Sequence, residues 1–262
     1  MKKYLAYLRC GFLEGCAYRQ YFITGMLANF IQAVVLFFVW KSIFNYQEVI
    51  NGYTWEIMKQ YVFGSVLCKS SLSRGFEMDE GERIFKGDII LDLLKPVSYR
   101  AMLFFRMLGT AGMEFAATFV LVGGIYLFIN GIQYLDFFRT VLFFIALLMG
   151  MGVKFCIHYL FSLMCFYTDN AYGVSKARET LTNFFSGALV PLAMFPGILR
   201  EAVNFLPFRG IVYTPCCIFI GFFSIRESIF NILLQLVWIA VLGGLGTLLG
   251  KKAFSVISMY GG

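Results

Sequence analysis

The sequence predicts an all-α polytopic membrane protein with six transmembrane helices. Hydrophobic residues make up 60% of the 262 residues and charged residues only 14%, whereas about 25% of the residues of a soluble domain are charged. The apolar residues form long runs, and a helix needs about 20 of them to cross the hydrocarbon of a bilayer. Six such runs use most of the chain, which leaves no room for a water-soluble domain.

The first element is predicted to be an N-terminal interfacial helix at residues 1–19. Apolar residues recur there every three or four positions, opposite Lys2, Lys3, Arg9 and Glu14, a pattern typical of a helix that lies in the headgroup region. The six spans follow at about 21–44, 54–73, 101–128, 137–167, 174–195 and 229–249. The fifth of these spans has a polar half.

The longest charged stretch, residues 74–100, separates the second and third spans. Within 82–95, apolar residues recur at helical spacing among charges of both signs. Gly87 divides this stretch, Asp88 is placed to cap the second piece, and Pro96 ends it. The stretch is either a surface-lying anchor or a docking surface for a cytoplasmic partner. Mixed charge favours a protein partner, because a lipid surface would select Lys and Arg.

Four of the five prolines fall within residues 187–215. Prolines so close together break helices, so this segment is predicted to form two short helical pieces that re-enter the outer leaflet as an extracellular hairpin. Lys and Arg are concentrated in the segments that this topology places inside, which puts both termini in the cytoplasm. That bias also explains the net charge of +7 without a nucleic-acid partner.

Three of the polar residues inside the predicted spans are candidate functional residues. Glu114 and Lys154 are expected to face the protein interior, since charge at the centre of a bilayer is costly, and they either pair or serve substrate or protons. His158 lies one turn after Lys154 and is either a hydrogen-bonded interior residue or a proton relay. It is the only histidine, so no metal site is predicted.

The chain lacks the nucleotide-binding pattern G-x-x-x-x-G-K followed by Ser or Thr. Any energy source must therefore be a partner or an ion gradient, and no cofactor is expected on this chain.

Two segments resemble blocks of one transporter family. The stretch ERIFKGDIILDLLKPVSY, residues 82–99, is similar to the block R-I-x-x-G-x-I-x-x-x-L-L-K-P of the bacterial six-span ABC type-2 export permeases. The stretch FFSGALVPLAMFPGILREAVNFLPF, residues 184–208, resembles the block S-G-x-x-x-P-x-x-x-F-P followed by L-P-F. Together with the size and the six spans, the resemblance covers residues 1–262 as one ABC-2-type transmembrane domain.

The resemblance implies a permease subunit of the bacterial cell membrane that exports an amphipathic substrate, such as a peptide, an antibiotic, a lipid or a hydrophobic small molecule. Two copies of a separate ATP-binding protein would bind ATP and Mg, and a second permease, homologous or identical, would complete the complex. The coupling region that docks on the ATPase would contain Ile84, Phe85, Gly87, Asp88, Leu91, Leu94 and Pro96. The outer gate would contain Gly187, Pro191, Phe195, Pro196, Phe205 and Pro207.

Two other functions remain open from the residues alone. An ion-coupled carrier or channel would use Glu114, Lys154 and His158 and would work in vesicles without an ATPase. A membrane-embedded transferase would need a catalytic carboxylate in a lipid-accessible pocket, but carboxylates are sparse in the predicted spans and form no visible pair.

Overall fold

The computed structural model describes residues 2–17, 19–70, 77–86, 88–124, 136–168 and 170–260, and their architecture is helical. The helices are α1 Lys2–Ala17, α2 Arg19–Phe44, α3 Trp55–Ser70, α4 Glu77–Phe85, α5 Ile89–Leu93, α6 Tyr99–Thr118, α7 Phe137–Met164, α8 Ala171–Phe185, α9 Gly197–Phe205, α10 Tyr213–Phe219 and α11 Ile225–Tyr260. A π-helical turn, Phe119–Gly123, extends α6, and 3-10 turns at Leu192–Met194 and Pro207–Gly210 flank α9.

A short antiparallel hairpin joins α2 to α3. Its strands are β1 Val49–Ile50 and β2 Tyr53–Thr54. Asn51 and Gly52, the two residues of the turn, both have positive φ angles, +48° and +83°, as a type I′ turn requires.

Four helices among the described residues are long and apolar enough to cross a membrane. They are Ile23–Phe44, Tyr99–Gly123, Phe137–Met164 and Ile225–Phe254. A fifth candidate is the bent pair Gly197–Phe205 and Pro207–Phe219, whose axes meet at 73°. The chain is therefore an all-α polytopic membrane protein with four or five candidate spans, and the six-span count stays a prediction.

The predicted fifth span, residues 174–195, is not one helix. Helix α8 ends at Phe185, and the backbone then turns at Gly187, whose φ angle is +84°. A φ angle of that sign is costly for residues other than glycine and incompatible with a continuing α-helix. Pro191, which has no N–H to donate, follows within one turn.

The prediction that no continuous helix runs through 187–215 is confirmed. Its two short helical pieces are α9 and α10, and the 3-10 turn Pro207–Gly210 joins them. Position in a membrane is a separate question, and the outer-leaflet location stays a prediction.

Two ends of the bundle can be distinguished from the contacts between elements. At the hairpin end, the Tyr53 ring stacks on Phe222 with centroids 4.7 Å apart, and Phe143 of α7 lies 5.3 Å from Phe219 of α10. We call the opposite end the charged end, because the charged residues Glu80, Arg83 and Asp92 lie there. At this end, Tyr99 of α6 lies 5.7 Å from Phe254 of α11. Helices α4 and α5 lie at this charged end, because α4 packs on α8 and on the α7 helix and Glu80 bonds Tyr99.

Helix α1 packs along the first half of α6. The Tyr4 ring stacks on Phe105 at 5.1 Å, and the Arg106 guanidinium pairs with Glu14 at 2.7 Å. Helix α1 is not among the candidate spans, and its location at the membrane surface stays a prediction.

Candidate functional site

Helix α5 is fixed to the bundle through one buried carboxylate. Asp92 is 2% exposed, and its Oδ2 atom pairs with the Arg83 guanidinium of α4. Its Oδ1 atom accepts a hydrogen bond of 2.5 Å from Lys95 Nζ. A buried carboxylate needs such partners, and the pair with Arg83 joins α5 to α4.

Glu80 connects the same region to α6. Its carboxylate is buried and accepts a hydrogen bond from the Tyr99 hydroxyl, and Arg83 Nη1 lies 3.6 Å from its Oε1 atom. Burial raises the pKa of Glu80, an effect that the Tyr99 hydroxyl and Arg83 oppose only in part. Arg83 of α4 therefore contacts Asp92 of α5 and Glu80 of its own helix, and Glu80 in turn contacts Tyr99 at the beginning of α6.

The opposite face of α5 is apolar and uncovered. Ile89, beside Asp92 on the inner face, is buried, whereas Leu91 is 65% exposed and Leu94, just after the helix, is 76% exposed. Ile90 and Leu93 are also exposed. Such a group of large apolar side chains at the end of a bundle is typical of a surface that binds a partner.

The other predicted coupling residues occupy different environments. Ile84 is half-buried, whereas Asp88 and Pro96 are exposed. The side chain of Phe85 and all of Gly87 lie outside the described residues.

The prediction that Asp88 caps the second helical piece is wrong. Asp88 precedes α5, but its φ and ψ angles, −64° and −18°, are helical, and its side chain makes no capping hydrogen bond. A capping side chain needs an extended backbone to reach the free N–H groups. Helix α5 does end shortly before Pro96, as predicted.

The predicted gate residues divide between the interior and the surface. Gly187, Pro191 and Pro207 are buried, and Phe195 is half-buried against Phe184. Pro196 and Phe205 are exposed, Phe205 by 79%.

The turn at Gly187 is held by contacts across the bundle. The Tyr61 hydroxyl of α3 donates a hydrogen bond of 2.7 Å to the Gly187 carbonyl oxygen, and the Tyr213 N–H of α10 donates to the Ser186 carbonyl at 2.9 Å. The Gly187 segment therefore lies between α3 and α10.

The model of the ABC-2 family transporter proteins matches residues 30–256 of this chain. The match covers most of the sequence, including the charged end and the Gly187 segment. The chain belongs to the ABC-2 transporter family. No curated protein matches the chain.

Membership in the ABC-2 family makes this chain a transport permease of the ABC type rather than an enzyme. The two sequence blocks at 82–99 and 184–208 both lie within the matched residues. Of α1, which ends at Ala17, nothing is included in the match.

The polar residues that were predicted to lie within spans of this ABC-2 permease differ in how far the protein buries them. Lys154 and His158 of α7 are buried, whereas Glu114 of α6 is half-buried. His158 Nε2 accepts a hydrogen bond of 2.9 Å from Arg178 Nη1 of α8, as expected of an interior residue. Pairing of Glu114 with Lys154 stays a prediction.

Sequence reasoning missed several residues of the ABC-2 permease that the fold buries. Arg83 and Asp92 are nine residues apart and Glu80 and Tyr99 nineteen, so no short-range spacing pairs them. The available signals were the i, i+3 spacings of Glu80 with Arg83 and of Asp92 with Lys95. Among the described residues, no cluster of three or more His, Cys, Asp or Glu side chains could hold a metal ion.

Proposed function

We propose that this chain is the permease subunit of an ATP-driven exporter in the bacterial cell membrane, and that a separate ATP-binding protein docks on α5. The observation that carries the proposal is the uncovered apolar face of α5, Leu91 and Leu94 above all. That face is presented on a short helix whose other side is fixed by Asp92.

The surroundings of this face favour a protein over lipid as the partner. Glu82, Lys86 and Asp88 are exposed next to it, and Glu82 pairs with Lys86 at 2.5 Å. An apolar centre within a rim of mixed charge is the usual composition of a protein interface. A surface that bound anionic lipid would carry mainly Lys and Arg.

The connections of α5 suggest how a movement of the ATPase reaches the spans. A displacement of α5 is transmitted through Asp92 and Arg83 to α4, and through Glu80 and Tyr99 to α6. ATP shifts the spans between two arrangements only in so far as it binds the two states with different affinity. ATP and Mg are bound by the partner, and this chain contributes the docking surface.

The contacts also support a six-span topology with both termini in the cytoplasm. Arg178 of α8 bonds His158 in the half of α7 toward the charged end. Asn51 at the hairpin end donates to the Ala193 carbonyl at 3.2 Å. Residues 171–193 thus extend from one end to the other as a crossing broken at Gly187, and α3 supplies the remaining crossing.

The rest of the complex is proposed by analogy with the ABC-2 family. Two copies of the ATP-binding protein and a second permease, homologous or identical, would complete the exporter. Each permease chain would contribute one transmembrane domain. An amphipathic cargo would leave beside the 187–215 segment, where Phe205 and Pro196 are exposed.

Replacement of Leu91 and Leu94 by Asp tests the docking proposal. The permease is purified from cells that also produce the ATP-binding protein of a neighbouring reading frame, and the ATPase that accompanies it is quantified. Two charged groups within an apolar contact cost about 1.4 kcal/mol or more, so the affinity for the ATPase falls at least about tenfold and less ATPase accompanies the permease. Tyr46→Asp is the matched control, because Tyr46 is 88% exposed but lies beside the hairpin.

Full ATPase occupancy with the Leu91→Asp and Leu94→Asp variant would contradict docking on α5. Transport by the purified single chain in vesicles without an ATPase would instead support the ion-coupled carrier or channel that uses Glu114, Lys154 and His158. The two measurements together decide between an ATP-driven permease and that alternative.

A further inference from the structure

Helix α4 touches the beginning of α8 at a position where neither residue has a flexible side chain. Gly81 of α4 is buried, and Ala171 is the first residue of α8. A Cβ atom built on Gly81 would lie 2.3 Å from the Ala171 Cβ atom. Real Cβ atoms do not come that close, so the backbone of α4 packs directly against the Ala171 methyl group.

This contact differs in kind from the contact between α4 and α6. The latter joins the side chains of Glu80 and Tyr99, each of which ends in a polar group beyond rotatable bonds. A change in side-chain torsions can take up part of a displacement there. At Gly81, backbone meets a methyl group that cannot turn aside, and closely packed atoms of this kind transmit a displacement.

The beginning of α8 is held in helical form by its own cap. The Asn170 Oδ1 atom accepts a hydrogen bond of 2.8 Å from the Gly173 N–H, as the N-cap residue of a helix does. Ala171 lies between these two residues. A displacement of Ala171 therefore moves the first turn of α8 as a unit.

The contact between α8 and α7 includes polar groups that are not all satisfied. Arg178 of α8 donates to His158 of α7 at 2.9 Å. Thr182 and Ser186 follow Arg178 at four-residue spacing and so share its face. Both are buried, and their hydroxyl oxygens have no hydrogen-bond partner among the described residues. Buried hydroxyls without partners cost free energy, so this face holds α8 less firmly than a fully bonded one would.

We propose that Gly81 is a positioning residue through which a displacement of α4 reaches α8. The proposal rests on the proposed function, since the bound ATPase is what displaces α5. Arg83 and Asp92 move α4 together with α5. Helix α4 then acts on α6 through Glu80 and on α8 through Gly81.

The test is a fluorescence measurement on the purified complex of the full permease and its ATPase in detergent. Cys10 and Cys16 are exposed and are replaced by Ser, whereas the other five cysteines are buried. Thr180→Cys places an environment-sensitive maleimide dye on the exposed face of α8, and Ala116→Cys, in a second protein, places it on α6. The change in emission is recorded when ATP, Mg and orthovanadate are added.

Ala171→Gly removes the methyl group that α4 touches. The emission change of the dye on α8 is then lost, whereas that of the dye on α6 is retained. Ala177→Gly is the matched control, because Ala177 is an exposed alanine of the same helix, and it retains both changes.

Gly81→Ala combined with Ala171→Gly puts the methyl group back from the other side. The Cβ atom at residue 81 then meets the Cα atom of residue 171 at 3.6 Å and Cys165 Sγ at 3.5 Å, which are ordinary contacts. The double variant regains the emission change of the dye on α8. A methyl group on α4 could not repair a loss of helix propensity in α8, so this rescue separates the contact from a merely structural effect.

An undiminished change on α8 in Ala171→Gly, or a double variant that regains nothing, would overturn the proposal. So would a loss on α6 and α8 together, because the damage would then not be specific to the contact at Gly81. The ATPase bound to each variant is quantified in the same samples. A wild-type permease that purifies without ATPase would contradict the proposed function and this proposal with it, whereas full ATPase occupancy with any of the other contrary results would contradict this proposal alone.

Discussion

Glu80 and Asp92 are acidic residues that the fold buries within a few ångströms of the same arginine. Asp92 is surrounded by two cations, Arg83 and Lys95, whereas the nearest polar partner of Glu80 is the Tyr99 hydroxyl. Burial therefore raises the pKa of Glu80, because desolvation outweighs the attraction of Arg83, which is closer to Asp92.

The raised pKa of Glu80 makes the stability of the permease depend on pH. The folded state holds the Glu80 proton more tightly than the unfolded chain, whose Glu pKa is about 4.3. The stability that neutral Glu80 contributes is complete below that pH and is lost as the pH rises toward the folded pKa. Glu80→Gln stays neutral, so its Tm rises relative to wild type as the pH increases from 4 to 8.

Glu82→Gln is the control for this titration. Glu82 is exposed, and its hydrogen bond to Lys86 lowers the pKa of Glu82, so its contribution appears as the pH rises and is lost only in more acidic solution. A Glu80→Gln Tm that follows the wild type at every pH would show that the pKa of Glu80 is the same in the folded and unfolded chain.

Residues of this kind set the limit of what the sequence could predict about the site. The resemblance to the ABC type-2 permeases implied that Leu91 and Leu94 are docking residues, and the fold exposes both. Arg83 and Asp92 could not be assigned roles, because their environments depend on which distant segments pack against them.

At the scale of elements, helices α1 and α6 come close together at a glycine, which has no side chain. A Cβ atom built on Gly109 of α6 would lie 2.1 Å from the Leu8 carbonyl oxygen of α1. That contact involves backbone, which cannot move aside as a flexible side chain does. The close approach of the two helices therefore depends on this glycine.

Gly109→Ala is expected to destabilise the permease by about 1–3 kcal/mol, because the added methyl group forces α1 away from α6. Gly112 is the matched control, since a Cβ atom there meets nothing within 4 Å. Gly112→Ala gains about 0.5–1 kcal/mol of helix propensity. Chemical or thermal unfolding in detergent measures both variants, and equal stabilities for the two would refute the close contact.

Elements were predicted well where one local signal dominated. Long apolar runs located α2, α6, α7 and α11, and prolines located the break between α9 and α10. The end of α8 was missed because Gly187 lies within an otherwise apolar run, and its φ angle is set by Tyr61 and Tyr213 from other helices.

At the scale of the whole molecule, the contacts bring α4, α5 and the last turns of α11 to the same end of the bundle. Tyr99 meets both Glu80 and Phe254 there. The β-hairpin lies with the beginning of α11 at the other end, through the Tyr53 and Phe222 rings. Which of these two ends faces the cytoplasm stays the prediction that the distribution of Lys and Arg gives.

Fusions of a reporter that matures only in the cytoplasm test this arrangement. A fusion at Gly262 is expected to be active, and fusions that end at Tyr46 or Phe195 are expected to be inactive, because the chain has then reached the hairpin end. An active fusion at Phe195 would mean that residues 171–195 do not cross, and the six-span topology would fail.

The turn at Gly187 divides residues 171–193 into helix α8 and a shorter segment that reaches Asn51 of the hairpin. An unbroken helix tilts as a rigid body, so a displacement of one end also displaces the other end. A segment whose helix is broken at Gly187 can move on one side of the break without moving on the other. In the proposed export mechanism, the segment next to the hairpin stays closed while α8 moves, and this order of movements prevents a leak.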